Sequence, residues 1–279
     1  MKTNSKITAL LALVVALAVN APAAPVTFWF SGLVTGVSNP SNAMPFSVNI
    51  GAPFAAQLTY DPSLVGSANV NSYPEGDIGY YYFTNTGGFS MTFQIAGHTI
   101  TNIARPGRNC GSVGIYDQYN NEDSYWAEAG GGLTVDGSPY LSDPYFSVIS
   151  MYLDDDSKTA FNTVAIPTNA PLLGKFASHR DLTWGAYIDD GGPTHIFSVS
   201  GVLTSITTKE QVLLNYRSHS ATTLQLGWPV TMSGFTLQSS TSLATSDWQT
   251  VTNAVLDINV EHTVTVPATD STRFFRLIK

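Results

Sequence analysis

The densest chemistry in this sequence lies between Asp117 and Trp126. Asp117-Gln118-Tyr119-Asn120-Asn121-Glu122-Asp123 gathers three carboxylates and three carboxamides on an expected loop, and Tyr116, Tyr119, Tyr125 and Trp126 bracket it. Flat rings beside hydrogen-bonding groups suit stacking on sugar faces. Asp117, Tyr119, Asp123, Tyr125 and Trp126 are therefore the candidate ligand-binding residues, with carbohydrate as the candidate ligand. Packing is the competing explanation, because Tyr and Trp are ordinary strand residues and half of an alternating run faces inward.

Carboxylate and carbonyl oxygens on loops also suit calcium, and Asp154-Asp155-Asp156 and Asp189-Asp190 offer two more such loops. The first loop lacks the EF-hand alternation and its central glycine. The other two sit at expected hairpin turns, where Asp is favoured for turn geometry alone. No cofactor is expected; calcium is the one ion left open, and its ligands stay unassigned.

Catalytic patterns are sparse. No Gly-x-Ser-x-Gly occurs, and Cys110, the single cysteine, sits in Asn109-Cys110-Gly111 without the surroundings of an activated thiol. His98, His179, His195, His219 and His262 stand singly, so a zinc site of sequence-local ligands is absent. Glycoside hydrolysis would need two carboxyl groups about 5 to 9.5 Å apart, a separation that spacing along the chain does not reveal. No catalytic residue is assigned, and the expectation is a protein that is not an enzyme.

These residues are carried by a chain of 279 in which 43% are hydrophobic and only 11% charged. Thirteen Tyr and fourteen Phe with so few Lys, Glu and Arg favour strands over helices. Twelve bases against twenty acids give a formal charge of -8, which repels duplex nucleic acid. Lys2 and Lys6 precede an uncharged apolar run from Ile7 to Val19 and then Asn20-Ala21-Pro22-Ala23-Ala24, the pattern of a secretory signal peptide cleaved near Ala23 or Ala24. The run is too short to span a bilayer, which takes about 20 residues. Removing residues 1–24 leaves 10 bases against 20 acids. A secreted or cell-surface location follows, with the periplasm as the alternative, and no lipid anchor or carboxyl-terminal membrane anchor is expected. One cysteine forms no internal disulfide, so stability must come from packing.

Period-two alternation marks the strands. Phe89, Met91, Phe93 and Ile95 alternate with polar residues and meet Ala96-Gly97 and then His98-Thr99-Ile100, which predicts a two-residue hairpin pairing Ile95 with His98 and Phe93 with Ile100. Further strands are expected over 55–60, 80–83, 112–116, 145–153, 183–188 and 195–206. No amphipathic helix of twelve residues is found, so the predicted class is all-β: an antiparallel, jelly-roll-like β-sandwich.

Residues 28–37 echo residues 197–206 at every apolar position but Trp29 and at the Ser31-Gly32 and Ser200-Gly201 steps. They are taken as the first and last strands of one domain, neighbours in one sheet, with Gly where a bulge would fit. The expected organisation is a signal peptide over 1–24, a main β-sandwich over 25–208 and a small β-sandwich module over 209–279. Trp228, Phe235, Leu237, Leu243, Trp248, Val266 and Phe275 are the expected filling of the small module.

With those landmarks in place, the main domain resembles the β-sandwich of secreted proteins from environmental Gram-negative bacteria, including those with PEP-CTERM sorting signals. The resemblance rests on residues 28–37, Leu58-Thr59-Tyr60-Asp61-Pro62, Ile95-Ala96-Gly97, Leu153-Asp154-Asp155, Ile166-Pro167 and residues 198–206. The tail is similar to a fibronectin-III-like module through Leu226-Gly227-Trp228-Pro229, residues 234–240, Leu243, Trp248 and Arg273-Phe274-Phe275-Arg276-Leu277. Families of this kind generally lack an assigned activity. The Pro-Glu-Pro, apolar helix and basic end of a PEP-CTERM tail are missing, so sorting by that route is not implied.

The resulting expectation is an exported, non-enzymatic β-sandwich protein with an adhesion, cell-surface or extracellular-matrix role. A carbohydrate-binding protein and a secreted polysaccharide hydrolase are the alternatives. Polysaccharide or other surface components are the expected partners, nucleic acid is not, and the oligomeric state stays open.

Overall fold

The computed structural model describes residues 24–140, 145–189, 193–208, 212–220, 222–230, 234–244, 247–258, 261–268 and 272–279. The signal-peptide run, the turn residues 190–192 and the expected linker residues 209–211 lie outside them, as do the side chains of His195 and His219.

Among the described residues the chain is strand, loop and three 3-10 turns. The main domain holds β1 (Val26–Ser38), β2 (Pro53–Tyr60), β3 (Ser67–Tyr73), β4 (Gly76–Phe83), β5 (Phe89–Ile95), β6 (His98–Asn102) and β7 (Gly111–Asp117). It continues through β8 (Asp123–Ala129), β9 (Leu133–Val135), β10 (Ser138–Tyr140), β11 (Tyr145–Asp155), β12 (His179–Asp189) and β13 (Pro193–Thr207). All thirteen pair antiparallel in one sheet, ordered β10-β9-β6-β5-β2-β1-β13-β12-β11-β8-β7-β4-β3.

A sheet of that width doubles over to bury its apolar face. Phe28 of β1 meets Tyr125 of β8 at 6.4 Å between ring centroids, and Phe93 of β5 meets Trp184 of β12 at 6.3 Å, although each pair is four strands apart in the sheet order. The two layers are thus halves of one continuous sheet around a shared core. Alternation makes this work, because every second side chain of β1, β5 and β8 enters the same interior.

The echoed segments prove to be direct partners. β1 pairs β13 from Trp29 with Thr207 to Ser38 with Ser198, and register shifts fall between Ser31 and Gly32 and between Val34 and Gly36. A Cβ on Gly32 would lie 2.0 Å from the Val202 carbonyl oxygen, so the glycine is what lets the strands approach there. The expected hairpin also forms, with Ile95 opposite His98, Phe93 opposite Ile100, and positive φ at Ala96 and Gly97.

The 156–178 connection between β11 and β12 caps one end of the core. The Tyr60 hydroxyl donates to the Pro167 carbonyl at 2.9 Å, the Tyr81 hydroxyl donates to the Val164 carbonyl at 2.8 Å, and Phe176 is buried. Cys110 is buried, with the Asn102 side-chain amide 2.8 Å from its sulfur; burial pushes its thiol pKa up. That is a packing environment, not a nucleophile's.

The remaining strands form two small sheets. β14 (Asn215–His219), β15 (Thr223–Pro229), β19 (Glu261–Pro267) and β18 (Val255–Ile258) make one, in that order. β17 (Gln249–Thr250), β16 (Thr236–Ser240) and β20 (Phe274–Ile278) make the other. Their core is Leu226, Trp228, Leu237, Val264 and Val266, with Phe275 partly buried against it. Leu243, expected in this core, is 69% exposed, because it stands in the loop after β16 rather than on a strand. Trp248 instead lies under the Arg276 guanidinium, 4.2 Å from its ring centroid.

Candidate functional site

The outer face of β3, β4, β7, β8 and β11 carries the chemistry. Inward positions of these strands include Tyr81, Phe83, Val113, Ile115, Tyr125, Ala127, Ile149, Met151 and Leu153, all core residues. The opposite phase therefore points out, and the register aligns it in rows. Asn69, Tyr80, Gly114, Trp126 and Tyr152 are successive cross-strand neighbours, as are Ser67, Tyr82, Ser112, Glu128 and Ser150.

Six rings form a continuous chain along this face. Tyr73 contacts Tyr119 at 5.7 Å, Tyr119 contacts Tyr116 at 5.4 Å, and Tyr116 contacts Tyr80 at 5.9 Å, with the last two hydroxyls hydrogen-bonded. Tyr80 then stacks near Tyr82 at 6.3 Å and meets the Trp126 ring edge-to-face at 6.0 Å. From Gly76, opposite Tyr73, to Tyr82 is six residues of β4, about 20 Å at the strand rise.

Small residues leave room for the rings to pack side by side. Gly114 sits between Tyr80 and Trp126, and a Cβ there would be 3.0 Å from the Trp126 ring and 3.2 Å from Tyr80. Ser112 and Ser124 are buried beneath their neighbours on the same face. Tyr73 is exposed and the other five rings are half-buried.

Carboxyl groups stand on both sides of Trp126: Glu128 on β8 and Glu122 just before that strand. Glu128 is half-buried, and burial raises its pKa to about 7. It lines a groove of about 340 Å³ with Tyr82, Trp126, Ser112, Arg108 and Asn109. Toward the other end, Glu122 accepts from the Ser124 hydroxyl at 3.3 Å, and its pKa is raised by burial and then by Asp154 nearby. Asp154, 3% exposed, is raised by burial, and its Oδ2 lies 3.0 Å from His179 Nδ1.

The structure separates the five residues singled out in the sequence. Trp126 and Tyr119 belong to the outer row. Asp117 is half-buried opposite Asp77, its pKa raised by burial and then by Asp123 and Asp77, with one carboxylate oxygen buried and unpartnered. Asp123 is fully buried and structural: its Oδ1 accepts from the Gln118 amide at 2.8 Å and its Oδ2 from the Phe161 amide at 2.9 Å. Tyr125 is fully buried in the core beside Tyr60, out of reach of any ligand.

Asp155 likewise closes a turn. Burial pushes its pKa upward, but hydrogen bonds from the hydroxyls and amides of Ser157 and Thr159 outweigh that and hold it at about 2. Each histidine whose side chain is described pairs with an aspartate: His98 with Asp136, His179 with Asp154 and His262 with Asp257. No cluster of three or more His, Cys, Asp or Glu suited to a metal occurs among the described residues.

Sequence reasoning missed Tyr80, Tyr82, Tyr152 and Glu128. The usable signal was Tyr80-Tyr81-Tyr82-Phe83, where one phase of an aromatic strand has to face out, together with Gly114 in the outward phase of β7. Comparison with known proteins finds no matching family model, no matching curated protein and no matching solved structure.

Proposed function

We propose that this is an exported, non-enzymatic β-sandwich protein that acts at the cell surface or in the extracellular matrix by holding polysaccharide on the outer face of β4, β7, β8 and β11. One observation carries the reading: the row of rings from Tyr73 to Trp126, laid over Gly114 and the buried serines. A solvent-facing sheet normally carries small polar and charged side chains, and an extended aromatic strip on it marks a contact surface. Rings held by edge-to-face contacts are preorganised, so little side-chain entropy is lost when a ligand stacks on them.

Binding without catalysis fits the carboxyl groups. Among the described residues, Glu128 is the only carboxyl group lining its groove. Glu122 and Asp154 lie near each other, but Asp154 is buried and engaged with His179. What supports a small sandwich module, read as fibronectin-III-like from its sequence, is that two antiparallel sheets share one core of Leu226, Trp228, Leu237, Val264 and Val266. The resemblance to secreted Gram-negative β-sandwich proteins belongs to the same proposal.

Affinity electrophoresis through gels containing polysaccharide, run beside a glycan array, tests it. The expected result is retardation of the wild type in at least one polysaccharide and its loss in Trp126→Ala. Equal mobility of the two proteins in every gel, or no array binding at all, would remove the proposal.

A further inference from the structure

We infer that the groove where the aromatic row meets the 107–109 turn is the primary sugar subsite, and that it takes an uncharged, polyhydroxylated ring of a neutral polysaccharide. The inference rests on the carbohydrate-binding reading and adds to it the place and the charge class of the ligand.

The lining decides the class. Trp126 and Tyr82 supply apolar ring surface, while Glu128, Arg108, Asn109 and Ser112 supply polar groups of both hydrogen-bonding polarities. A purely apolar ligand would desolvate the carboxyl, guanidinium and carboxamide without replacing their water, which leaves buried polar groups unpaired. An anionic ring, such as a uronate, would face the Arg108 guanidinium and the Glu128 carboxyl together, and once Glu128 is ionised its repulsion offsets the attraction of Arg108. A neutral hexose leaves no polar group unpaired and meets no repulsion. Its hydroxyls donate to a carboxylate and accept from a guanidinium or carboxamide, and one face of its ring is apolar enough to cover an indole.

Size agrees with this. About 340 Å³ is at the small end of ligand sites, which run from roughly 300 to 1,000 Å³, so the groove seats a sugar unit while the ring row supports the rest of the chain.

Arg108 approaches from the 107–109 turn and Tyr82 from β4, while Ser112 of β7 and Ser150 of β11 stand opposite Glu128 in the sheet. Burial raises the Glu128 pKa to about 7, so any affinity for an acidic chain should fall as pH rises through that value.

The test is affinity electrophoresis of the full chain, from pH 5.5 to 8.5, in laminarin, hydroxyethyl cellulose and xylan against alginate and polygalacturonate. Retardation by a neutral polymer is expected, reduced at least tenfold in Glu128→Ala and several-fold in Asn109→Ala. Glu128→Gln, which keeps the shape and both hydrogen-bonding roles, should retain binding. Circular dichroism establishes that each variant is folded, and a misfolded Glu128→Ala leaves Glu128→Gln and Asn109→Ala to decide. Binding lost in Trp126→Ala but unchanged in Glu128→Ala and Asn109→Ala would sink the groove and spare the aromatic face. Preference for the acidic polymers would overturn the charge class alone, and no binding to any polymer would remove the carbohydrate reading together with this inference.

Discussion

Tyr125 and Trp126 are consecutive on β8 and lie on opposite sides of the same sheet: the Tyr125 ring packs against Phe28 in the core, and the Trp126 ring meets Tyr80 on the outer face. Truncating each should therefore fail differently. Tyr125→Ala opens a cavity in a fully buried site and should lose about 3–5 kcal/mol of unfolding free energy. Trp126→Ala should lose roughly 1–2 kcal/mol, mostly aromatic contact, yet abolish polysaccharide retardation. Urea unfolding and affinity electrophoresis on the two variants check the split; equal stability losses would contradict the assigned facing.

Gly114 controls how closely the Tyr80 and Trp126 rings approach over β7. Gly114→Ala places a methyl 3.0 Å from the Trp126 ring, so the rings must part by a few tenths of an ångström. A weakened polysaccharide affinity with a stability change of about 1 kcal/mol or less is expected, measured by the same two assays.

Glu128 couples stability to pH. Its folded pKa is raised from 4.5 to about 7, so between those values the folded state binds more protons than the unfolded chain. Stability therefore falls as pH rises through that window and stays reduced above pH 7. Glu128→Gln should remove this penalty, raising stability at pH 8 by roughly 1–2 kcal/mol and hardly at all at pH 4. Urea midpoints at both pH values decide it, and a variant equally stabilised at pH 4 would contradict the titration argument.

Asp155 has the opposite sign. Its folded pKa of about 2 lies below the ordinary 3.8, so its stabilisation is complete above pH 4 and is lost as pH falls toward 2. Asp155→Asn should destabilise by about 2 kcal/mol at pH 7, the scale of hydrogen bonds to a charged group, and the gap to wild type should close near pH 2. Thermal unfolding across pH 2 to 7 measures the convergence.

Gly32→Ala tests the β1 and β13 contact. The added carbon would fall 2.0 Å from a backbone oxygen and 2.5 Å from the Phe54 ring, and neither strand can yield without breaking register. A loss of about 3 kcal/mol is expected by denaturant unfolding, against about 1 kcal/mol for Gly107→Ala, where nothing lies within 4 Å of the added carbon and the positive φ is the whole cost.

The parts of the fold that were legible in the sequence are those where local patterns coincide with global pairing. The hairpin around Ala96-Gly97 has a two-residue turn between alternating runs, and the 28–37 echo of 197–206 reflects two strands that pair with each other across shifts in register. β8 was hidden because Asp123, Ser124, Ala127, Glu128 and Ala129 carry little strand propensity; its place between β7 and β11 supplies what its composition lacks. β3 and β18 escaped for a related reason, being edge strands with exposed side chains. Asp117 and Asp123 looked equivalent on paper, and only the 161 amide reaching across from the capping loop made Asp123 structural.

Alternation by itself determined that this chain forms layered antiparallel strands, because a period of two admits one buried face and no helix. Which phase of each strand faces water, and so whether Trp126 or Tyr125 can meet a ligand, was decided by the doubling of the sheet. That choice depends on contacts such as Phe28 with Tyr125, between residues nearly a hundred positions apart, and no local pattern encodes them.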